Sequence, residues 1–376
     1  MPLRALARIN LAAIERNCAR LLRKLRPGAA LAAVVKADGY GHGATPSARA
    51  ALAGGATWLA VATAREAEAL RRDGVEERLL VMGALSPAEL DVAVAADADI
   101  VAWRERFVAA LAERAGAERP LRVHVKLDSG MGRLGTRDPD EARRVAEATA
   151  AASGLELAGA MTHFATADDP ECGEFLSAQL ERFTAWACAL KHDHPGIVLH
   201  AANSAATLRE ARSHFDLVRC GIAIYGMDPF HRDPALRDLE PALELRSYVA
   251  DLKPCAPGES AGYGRRFVAS RETVLGVLPI GYGDGVRRSL SNNADVLVGG
   301  RRRPLVGTIS MDNLTVDLGA RPDVGPGAPA VLIGADGGER LTAEEMARRL
   351  GTINYEISCG LTPRVPRVYH RDGEPA

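Results

Sequence analysis

Residues 31–43 read LAAVVKADGYGHG. Five apolar residues, Leu31 to Val35, stop at Lys36, and a turn studded with Gly39, Gly41 and Gly43 carries Tyr40 and His42. A short unbroken apolar run reads as a strand buried on both faces, the kind found in parallel sheets. If it opens a parallel barrel, Lys36 stands at the carboxyl end of a strand, where such folds gather their chemistry. Taken alone, a lysine after an apolar strand is a solvated strand end, so the rest of the chain has to decide.

From about residue 30 to 226 the same grammar repeats. Apolar runs start at residues 31 (LAAVV), 57 (TWLAVA), 78 (RLLVMG), 98 (ADIVAW), 121 (LRVHVKL), 155 (LELAGAMT), 197 (IVLHA) and 216 (DLVRC). Amphipathic stretches such as AREAEALRRDG and DPDEARRVAEATAAASG separate them. Ser86-Pro87 opens one helix with a cap and a proline at its first position, and Gly74, Gly116 and Gly154 close others. Strand–helix alternation repeated about eight times predicts a (β/α)8 barrel over residues 11–235. An open doubly wound sheet is the rival, but neither G-x-G-x-x-G nor G-x-x-x-x-G-K-[ST] occurs. Over residues 236–376 glycine and proline rise, and runs such as LELRSYVADL, ETVLGVLPI and PAVLIG predict a mostly β domain. One helix interrupts it, TAEEMARRLG, with Thr342 and Glu345 as a capping box and Gly351 as its stop.

The bulk numbers narrow the class. The 376 residues suit a large domain plus a second one, and 47% hydrophobic with 25% charged residues is the balance of an ordinary globular protein. A net charge of −1 without a basic block gives no sign of a nucleic-acid partner or an acidic membrane. The six cysteines form no C-x-x-C pair and read as reduced, packed thiols. No secretory signal and no membrane-length apolar run is found, so a cytoplasmic protein is expected. The HDH at 192–194 lacks a third ligand nearby, and no metal is expected.

If the first half is a barrel, one face collects Lys36, Lys126, Asp128, Arg133, His163, His200, Asn203, Ser204, Arg219, Gly221 and Ile222. Each has a bland reading: satisfied core histidines, a surface arginine, a helix cap at Asn203-Ser204. Together they favour function, because one fold puts all of them at strand ends. A lysine among apolar walls and other cations can release its proton and enter Schiff-base chemistry. Backbone N–H groups near Gly221 and Ile222, helped by Ser204, suit a phosphate. A reactive amine beside a phosphate site suggests pyridoxal phosphate or a phosphorylated aldolase substrate; spacing does not separate the two.

AVVKADGYGHG resembles the pyridoxal-phosphate lysine motif of the bacterial alanine racemases (fold type III). KLDSGMGRLG, MTHFATAD, HAANSAAT, RCGIAIYG, GYGRRF, PIGYGDG, GTISMDN and TINYEISCGLTPRVPR are similar to that family's motifs, in family order across nearly the whole chain. The resemblance implies that residues 1–10 form a strand joining the C-terminal domain. It also implies a homodimer with shared active sites, acting on L- and D-alanine. Lys36 would carry pyridoxal 5'-phosphate; Tyr40, Asn203, Ser204, Gly221, Ile222 and Tyr355 would surround its phosphate; and Arg219 would face its ring nitrogen. Lys36 and Tyr263 of the partner subunit would be the two opposed bases, with His163 linking Tyr263 to Arg219. Arg133 and Met311 would hold the substrate carboxylate. Tyr282 and Asp312 would line the site, and Asp168 and Ile353 would lie nearer the entrance. Lys126 matches a lysine that can be carbamylated.

Two departures stand out. Gly262 replaces the serine that often precedes the tyrosine, and Thr308 stands where some members carry arginine. The rival functions are a broader-specificity racemase, an amino-acid decarboxylase on the same barrel, and a non-enzymatic pyridoxal phosphate carrier. The carrier would be one barrel alone, without the second domain and its tyrosine. A biosynthetic role, supplying D-alanine for peptidoglycan, is not separable by sequence from a catabolic one.

Overall fold

The computed structural model of the chain describes residues 3–116 and 119–376. They divide into two units, Ile14–Ile224 in one, and the chain up to Ala13 with Tyr225–Ala376 in the other. Strand β1, Leu6–Asn10, belongs to the second unit.

In the first unit all eight apolar runs are strands: β2 Ala30–Val34, β3 Trp58–Val61, β4 Arg78–Val81, β5 Asp99–Ala102, β6 Leu121–Lys126, β7 Leu155–Met161, β8 Val198–His200 and β9 Leu217–Cys220. They form one sheet in the order β8-β7-β6-β5-β4-β3-β2-β9, with every pair parallel. Two backbone bonds draw its ends together, from Asp216 N–H to Leu199 (3.0 Å) and from Arg219 N–H to Ala202 (2.9 Å). The sheet is thus a nearly closed barrel with a helix after most strands, and the strands are short because each is buried on both faces.

The helices start where capping chemistry dictates. Thr63 and Glu66 make a reciprocal capping box. At Ser86-Pro87, the Ser86 amide and hydroxyl both reach the Glu89 carboxylate. The longest helix, Gly173–Asp193, buries Leu176, Leu180, Phe183, Ala187 and Leu190 along one face. That spacing of three and four residues is the helical period and was available in the sequence.

The second unit continues with β10 Leu243–Tyr248, β11 Asp251–Cys255, β12 Ser260–Ala261, β13 Phe267–Val268, β14 Thr273–Leu278, β15 Asp295–Val298, β16 Arg301–Val306, β17 Leu314–Asp317, β18 Pro329–Asp336, β19 Glu339–Leu341, β20 Arg367–Arg371 and β21 Glu374–Pro375. Its main sheet runs β11-β14-β17-β16-β15-β18-β10-β1-β20-β21, with β19 beside β18 and a separate β12–β13 ribbon. The first strand of the chain sits between two of its later ones, antiparallel to β10 and parallel to β20.

The boundary falls at Tyr225, ahead of the composition shift at residue 236. Residues after Tyr225 are fastened to the β unit: Asp228 N–H bonds the Glu344 carboxylate (3.0 Å), and the Asn354 amide bonds the Asp228 carbonyl (2.9 Å). The helix at Ala343–Leu350 also differs in detail from its sequence signature. The Thr342 hydroxyl accepts from Glu345 N–H, but the Glu345 carboxylate turns to Arg302 (2.7 Å) and Arg349 (2.9 Å). Two guanidinium partners outbid one backbone amide for a carboxylate. All six cysteines are free thiols, and burial raises the pKa of Cys220 to about 11. Among the described residues no helix is long and apolar enough to cross a membrane.

Candidate active site

The opening stretch folds into an unusual turn. After β2, Ala37, Asp38, Gly39 and Tyr40 all have φ between 52° and 62°, and Gly41 follows at 83°. Only two of these five are glycine, so a left-handed turn is imposed on residues that disfavour it, at about 1–2 kcal/mol each. Three side chains hold it. Glu66 accepts the Ala37 N–H (2.7 Å) while also binding the amides of Ala62 and Thr63. Asp38 accepts the Ala44 N–H (2.9 Å). Buried His42 donates from Nδ1 to the carbonyls of Gly39 and Tyr40, each at 3.0 Å. His42 is therefore structural, and its task is to pin the turn that follows Lys36.

Four cations converge on this end of the barrel. Burial and the charges of Arg219, Arg133 and Lys36 push the Lys126 ammonium down to about 8, against the pull of Asp128. Lys126 is 4% exposed, and no carboxylate among the described residues lies within ion-pair distance of it. Asp128 is spent on its own loop, accepting from Gly130 (3.0 Å) and Gly132 (2.9 Å) and approached by Arg137 at 3.4 Å. That loop carries Arg133, which is exposed. Four cations this close together favour anionic ligands.

Arg219 is the structural hub. Its Nη2 donates to the carbonyls of Thr162 (2.7 Å) and Ala201 (3.0 Å) and lies 3.3 Å from His163 Nδ1; its Nη1 lies 3.0 Å from His200 Nδ1. A guanidinium has no acceptor, so both Nδ1 atoms accept, and each histidine carries its proton on Nε2. Burial and the charges of Arg219, Lys126, Arg133 and Lys36 hold His163 well below the ordinary imidazole value, so it is neutral. Burial also lowers Arg219 itself, to about 10. The Arg219 Nε–H has no acceptor among the described residues and remains available to a ligand.

The end of the site near Ser204 and Gly221 is built from two turns. Asn203 caps the helix Ser204–Arg209 through the Ala206 N–H (3.0 Å). The Ser204 hydroxyl accepts from Gly221 N–H (3.0 Å) and Ala223 N–H (3.4 Å). A hydroxyl that accepts twice keeps its hydrogen to donate. Gly221 contributes differently from the sequence expectation, since its amide is committed to Ser204. Its value is space: a Cβ there would lie 2.3 Å from Tyr40 Oη. Ile222 follows in the same turn.

The remaining site residues expected from sequence belong to the second unit. Tyr263 is 73% exposed, flanked by Gly262 and Gly264, both at φ 72°. Tyr282 and Met311 are zipped together by Tyr282 N–H to Ser310 (3.0 Å) and Gly283 N–H to Met311 (2.9 Å). Arg364 binds Asp312 at 2.6 Å and approaches buried Asp284, which Arg4 also grips. The Tyr355 ring packs edge-on to His231, centroids 6.3 Å apart. Asp168 and Ile353 are exposed. Sequence reasoning missed Glu66, Arg364, His124 and Asp99. The last two had a signal, polar residues inside apolar strands.

The chain matches two family models, "Alanine racemase, N-terminal domain" over residues 9–229 and "Alanine racemase, C-terminal domain" over residues 242–369. It is 43% identical over 376 residues to an alanine racemase of Frankia casuarinae, spanning 98% of this chain and 96% of that one. It is 41% identical over 367 residues to that of Symbiobacterium thermophilum, spanning 96% of each. A crystal structure of the Bacillus anthracis alanine racemase with bound L-Ala-P superposes with a TM-score of 0.91 at 35% identity, covering 100% of this chain and 97% of that one.

Proposed function

The chain belongs to the alanine racemase family, and we propose that it interconverts L-alanine and D-alanine with pyridoxal 5'-phosphate as cofactor. The observation that carries this reading is the convergence of Lys36, Lys126, Arg133 and Arg219 on neutral, buried His163. A phosphate and a substrate carboxylate are anions that suit such a positively charged end of the barrel. The fit of the cofactor rests on Gly221, whose missing Cβ lets the Tyr40 hydroxyl lie close over the turn, and on the uncommitted Arg219 Nε–H. When bound, the cofactor supplies the electron sink that acidifies the substrate Cα proton.

The chain's own residues do the rest. Lys36 would anchor the cofactor, and its amine would move a proton on the D-alanine face. Tyr263 of the partner subunit moves it on the L-alanine face. A free tyrosine titrates near pH ~10, so the phenolate needs help. His163, with Nδ1 committed to Arg219, presents Nε2–H as the donor that stabilises it. Tyr40, Asn203, Ser204, Ile222 and Tyr355 bind the phosphate, with Gly221 giving room. Arg219 would hold the ring nitrogen of the cofactor as a donor only, and a guanidinium there would favour an unprotonated ring and disfavour side reactions such as transamination. Arg133 and Met311 bind the substrate carboxylate, and Tyr282 and Asp312 line the approach.

Lys126 becomes a carbamate: its Nζ lone pair bonds to the carbon of carbon dioxide and a proton leaves to solvent. The new anion orients Arg133. The homodimer is supported by the exposure of Tyr263, Tyr282, Met311 and Ile353, large apolar side chains that a second subunit would cover. A cytoplasmic enzyme feeding D-alanine to peptidoglycan fits this activity.

The test is to incubate the cofactor-loaded protein with L-alanine in deuterated water. Loss of optical rotation with deuterium at Cα is expected, and borohydride reduction should label Lys36. Absence of exchange with cofactor present overturns the reading.

A further inference from the structure

A chain of buried polar groups runs away from Arg219 through the body of the barrel. Arg219 Nη1 meets His200 Nδ1 at 3.0 Å, His200 Nε2 meets His124 Nδ1 at 2.8 Å, and His124 Nε2 meets Asp99 Oδ2 at 2.9 Å. Asp99, His124 and His200 are all 0% exposed. The chain starts in β9 and β8, near the carboxyl ends of the strands, crosses to β6, and ends on the first residue of β5, at the opposite end of the barrel. Barrel bodies are ordinarily filled with branched apolar side chains, so a polar line this long needs a reason.

The proton positions follow from one constraint. Arg219 can only donate, so His200 Nδ1 accepts and its single N–H is on Nε2. That N–H donates to His124 Nδ1, which must then be bare, so the His124 proton is on Nε2 and points at Asp99. Both rings are neutral, and every bond points the same way, from guanidinium to carboxylate. A proton added to either ring, or a flipped tautomer, sets two donors or two acceptors against each other. At the far end Arg78 (2.9 Å) and Arg122 (2.6 Å) hold Asp99 in place. In β7, which lies between β6 and β8, Gly159 lets the line pass: a Cβ there would sit 2.2 Å from His124 Nδ1.

We propose that Asp99 is a remote positioning residue for the reaction, acting through His124 and His200 to fix the placement and polarisation of the Arg219 guanidinium, and that Gly159 is the opening that makes this line continuous. Arg219 is a buried cation with no carboxylate touching it. Its nearest partners are two carbonyls and two neutral rings. Asp99 is the negative charge at the end of the line, transmitted by hydrogen bonds that polarise one another in a low-dielectric interior. The alternative, two satisfied core histidines with no bearing on the site, leaves the shared direction of the bonds and the matching glycine as coincidences. The inference rests on the proposed role of Arg219 at the cofactor ring nitrogen.

The test begins without substrate. In protein labelled with 15N-histidine, two-bond 1H–15N spectra of the cofactor-free and loaded forms should show His124 and His200 as neutral Nε2–H tautomers between about pH 6 and pH 8. An imidazolium or an Nδ1–H form for either ring overturns the proposal. Asp99→Asn keeps an acceptor but removes the charge. It should leave the tautomers in place, shift the absorbance of the loaded cofactor, and lower kcat about tenfold with KM for alanine within about twofold. Gly159→Ala should break the His124–His200 bond, scatter the His200 tautomer and produce the same kcat loss. An Asp99→Asn protein with an unchanged spectrum and unchanged kcat overturns the proposal. If Asp99→Asn does not fold, the wild-type tautomers still decide. A protein that binds no cofactor or does not racemise alanine would instead bring down the proposed function, and the tautomers of the cofactor-free form would be unaffected by that failure.

Discussion

The two groups of candidate site residues are built to different standards. In the barrel, Arg219 is 3% exposed and Lys126 and Ser204 are 4% exposed, and Arg219 and Ser204 are held by hydrogen bonds within the same unit. In the β unit, Tyr263 is 73% exposed, Met311 51% and Tyr282 41%, on loops whose backbones are tied down but whose side chains reach into solvent. Preorganised polar groups are worth most where water is excluded, so the barrel group is already close to a working electrostatic site. The β group would be completed by the proposed partner subunit. Exposed aromatic and thioether side chains on braced loops are what a protein presents to a partner surface.

The largest effect expected from this contrast is all-or-none. Lys36→Ala and Tyr263→Phe should each lower racemisation by about a thousandfold or more. Mixed in equal amounts under conditions that exchange subunits, they should recover about a quarter of wild-type activity. Half of the randomly formed dimers would carry one intact site of two, in line with a two-fold symmetric pair. Each variant alone must stay inactive. If the mixture also stays inactive after exchange is verified by mass, Lys36 and Tyr263 act from the same chain, and the exposure of Tyr263 has another cause.

Within the barrel group, Gly221→Ala should cost the next largest amount. The added methyl would lie 2.3 Å from Tyr40 Oη and 2.6 Å from Cζ, so the ring has to leave its place. Cofactor affinity should fall about tenfold, measured by equilibrium titration, with about 1–3 kcal/mol lost from stability. Wild-type affinity in this variant would mean that Tyr40 does not need its present position to hold the phosphate.

Lys126 sharpens the same contrast through pH. With its pKa near 8, about a tenth of it is uncharged at pH 7, against fewer than about one in a thousand for an ordinary lysine. That fraction is what can react with carbon dioxide, and 13C-bicarbonate should give a carbamate signal that Lys126→Met abolishes. In carbon-dioxide-free buffer the unfolded chain keeps this proton to higher pH than the folded one. Wild-type stability should therefore rise as pH increases from about 8 towards 10.5, and Lys126→Met should lose that rise. The same variant should raise KM for alanine by roughly tenfold, the cost of a misoriented Arg133. A Lys126→Met enzyme with unchanged KM would leave the lysine without a part in substrate binding.

How far the sequence could be read follows the same division. The eight barrel strands were legible because a strand buried on both faces is a run of apolar residues, and nothing else in the first half looks like that. Lys36 and Arg219 were legible because they end such runs. The line from Arg219 to Asp99 was not, because His200, His124 and Asp99 meet only after β5, β6, β7 and β8 are laid side by side, and a one-dimensional pattern does not carry that register. Gly159 looked like one more small residue in LELAGAMT. Short paired segments such as β12, β13 and β21 escaped because two residues show no period. The left-handed turn at residues 37–41 escaped for a different reason: Ala37 and Asp38 give no sign of positive φ, which Glu66, Asp38 and His42 impose from their side chains.

The smallest expected effect concerns the two departures from the family pattern, Gly262 and Thr308, which turn out to be one feature. The Thr308 hydroxyl donates to the Tyr263 carbonyl at 2.7 Å, and a Cβ on Gly262 would lie 2.9 Å from both the amide nitrogen and the carbonyl oxygen of Thr308. Gly262 also sits at φ 72° and ψ 180°, a conformation that side chains resist. Tyr263 is therefore held by a contact so close that only glycine fits it. Thr308→Val removes one hydrogen bond, worth about 1 kcal/mol, and should lower kcat by about threefold. Because the two enantiomers have equal energy, kcat/KM must fall equally in both directions. The asymmetry should appear instead as a larger primary isotope effect with Cα-deuterated L-alanine than with D-alanine, since only the L face depends on Tyr263. Gly262→Ser alone should cost about 1–3 kcal/mol of stability. If the two sites are one feature, the double variant will lose less than the sum of the single ones, because the Thr308 hydroxyl bond to Tyr263, which a backbone displaced by serine would break, is already gone. Strict additivity would return Gly262 and Thr308 to being two unrelated substitutions.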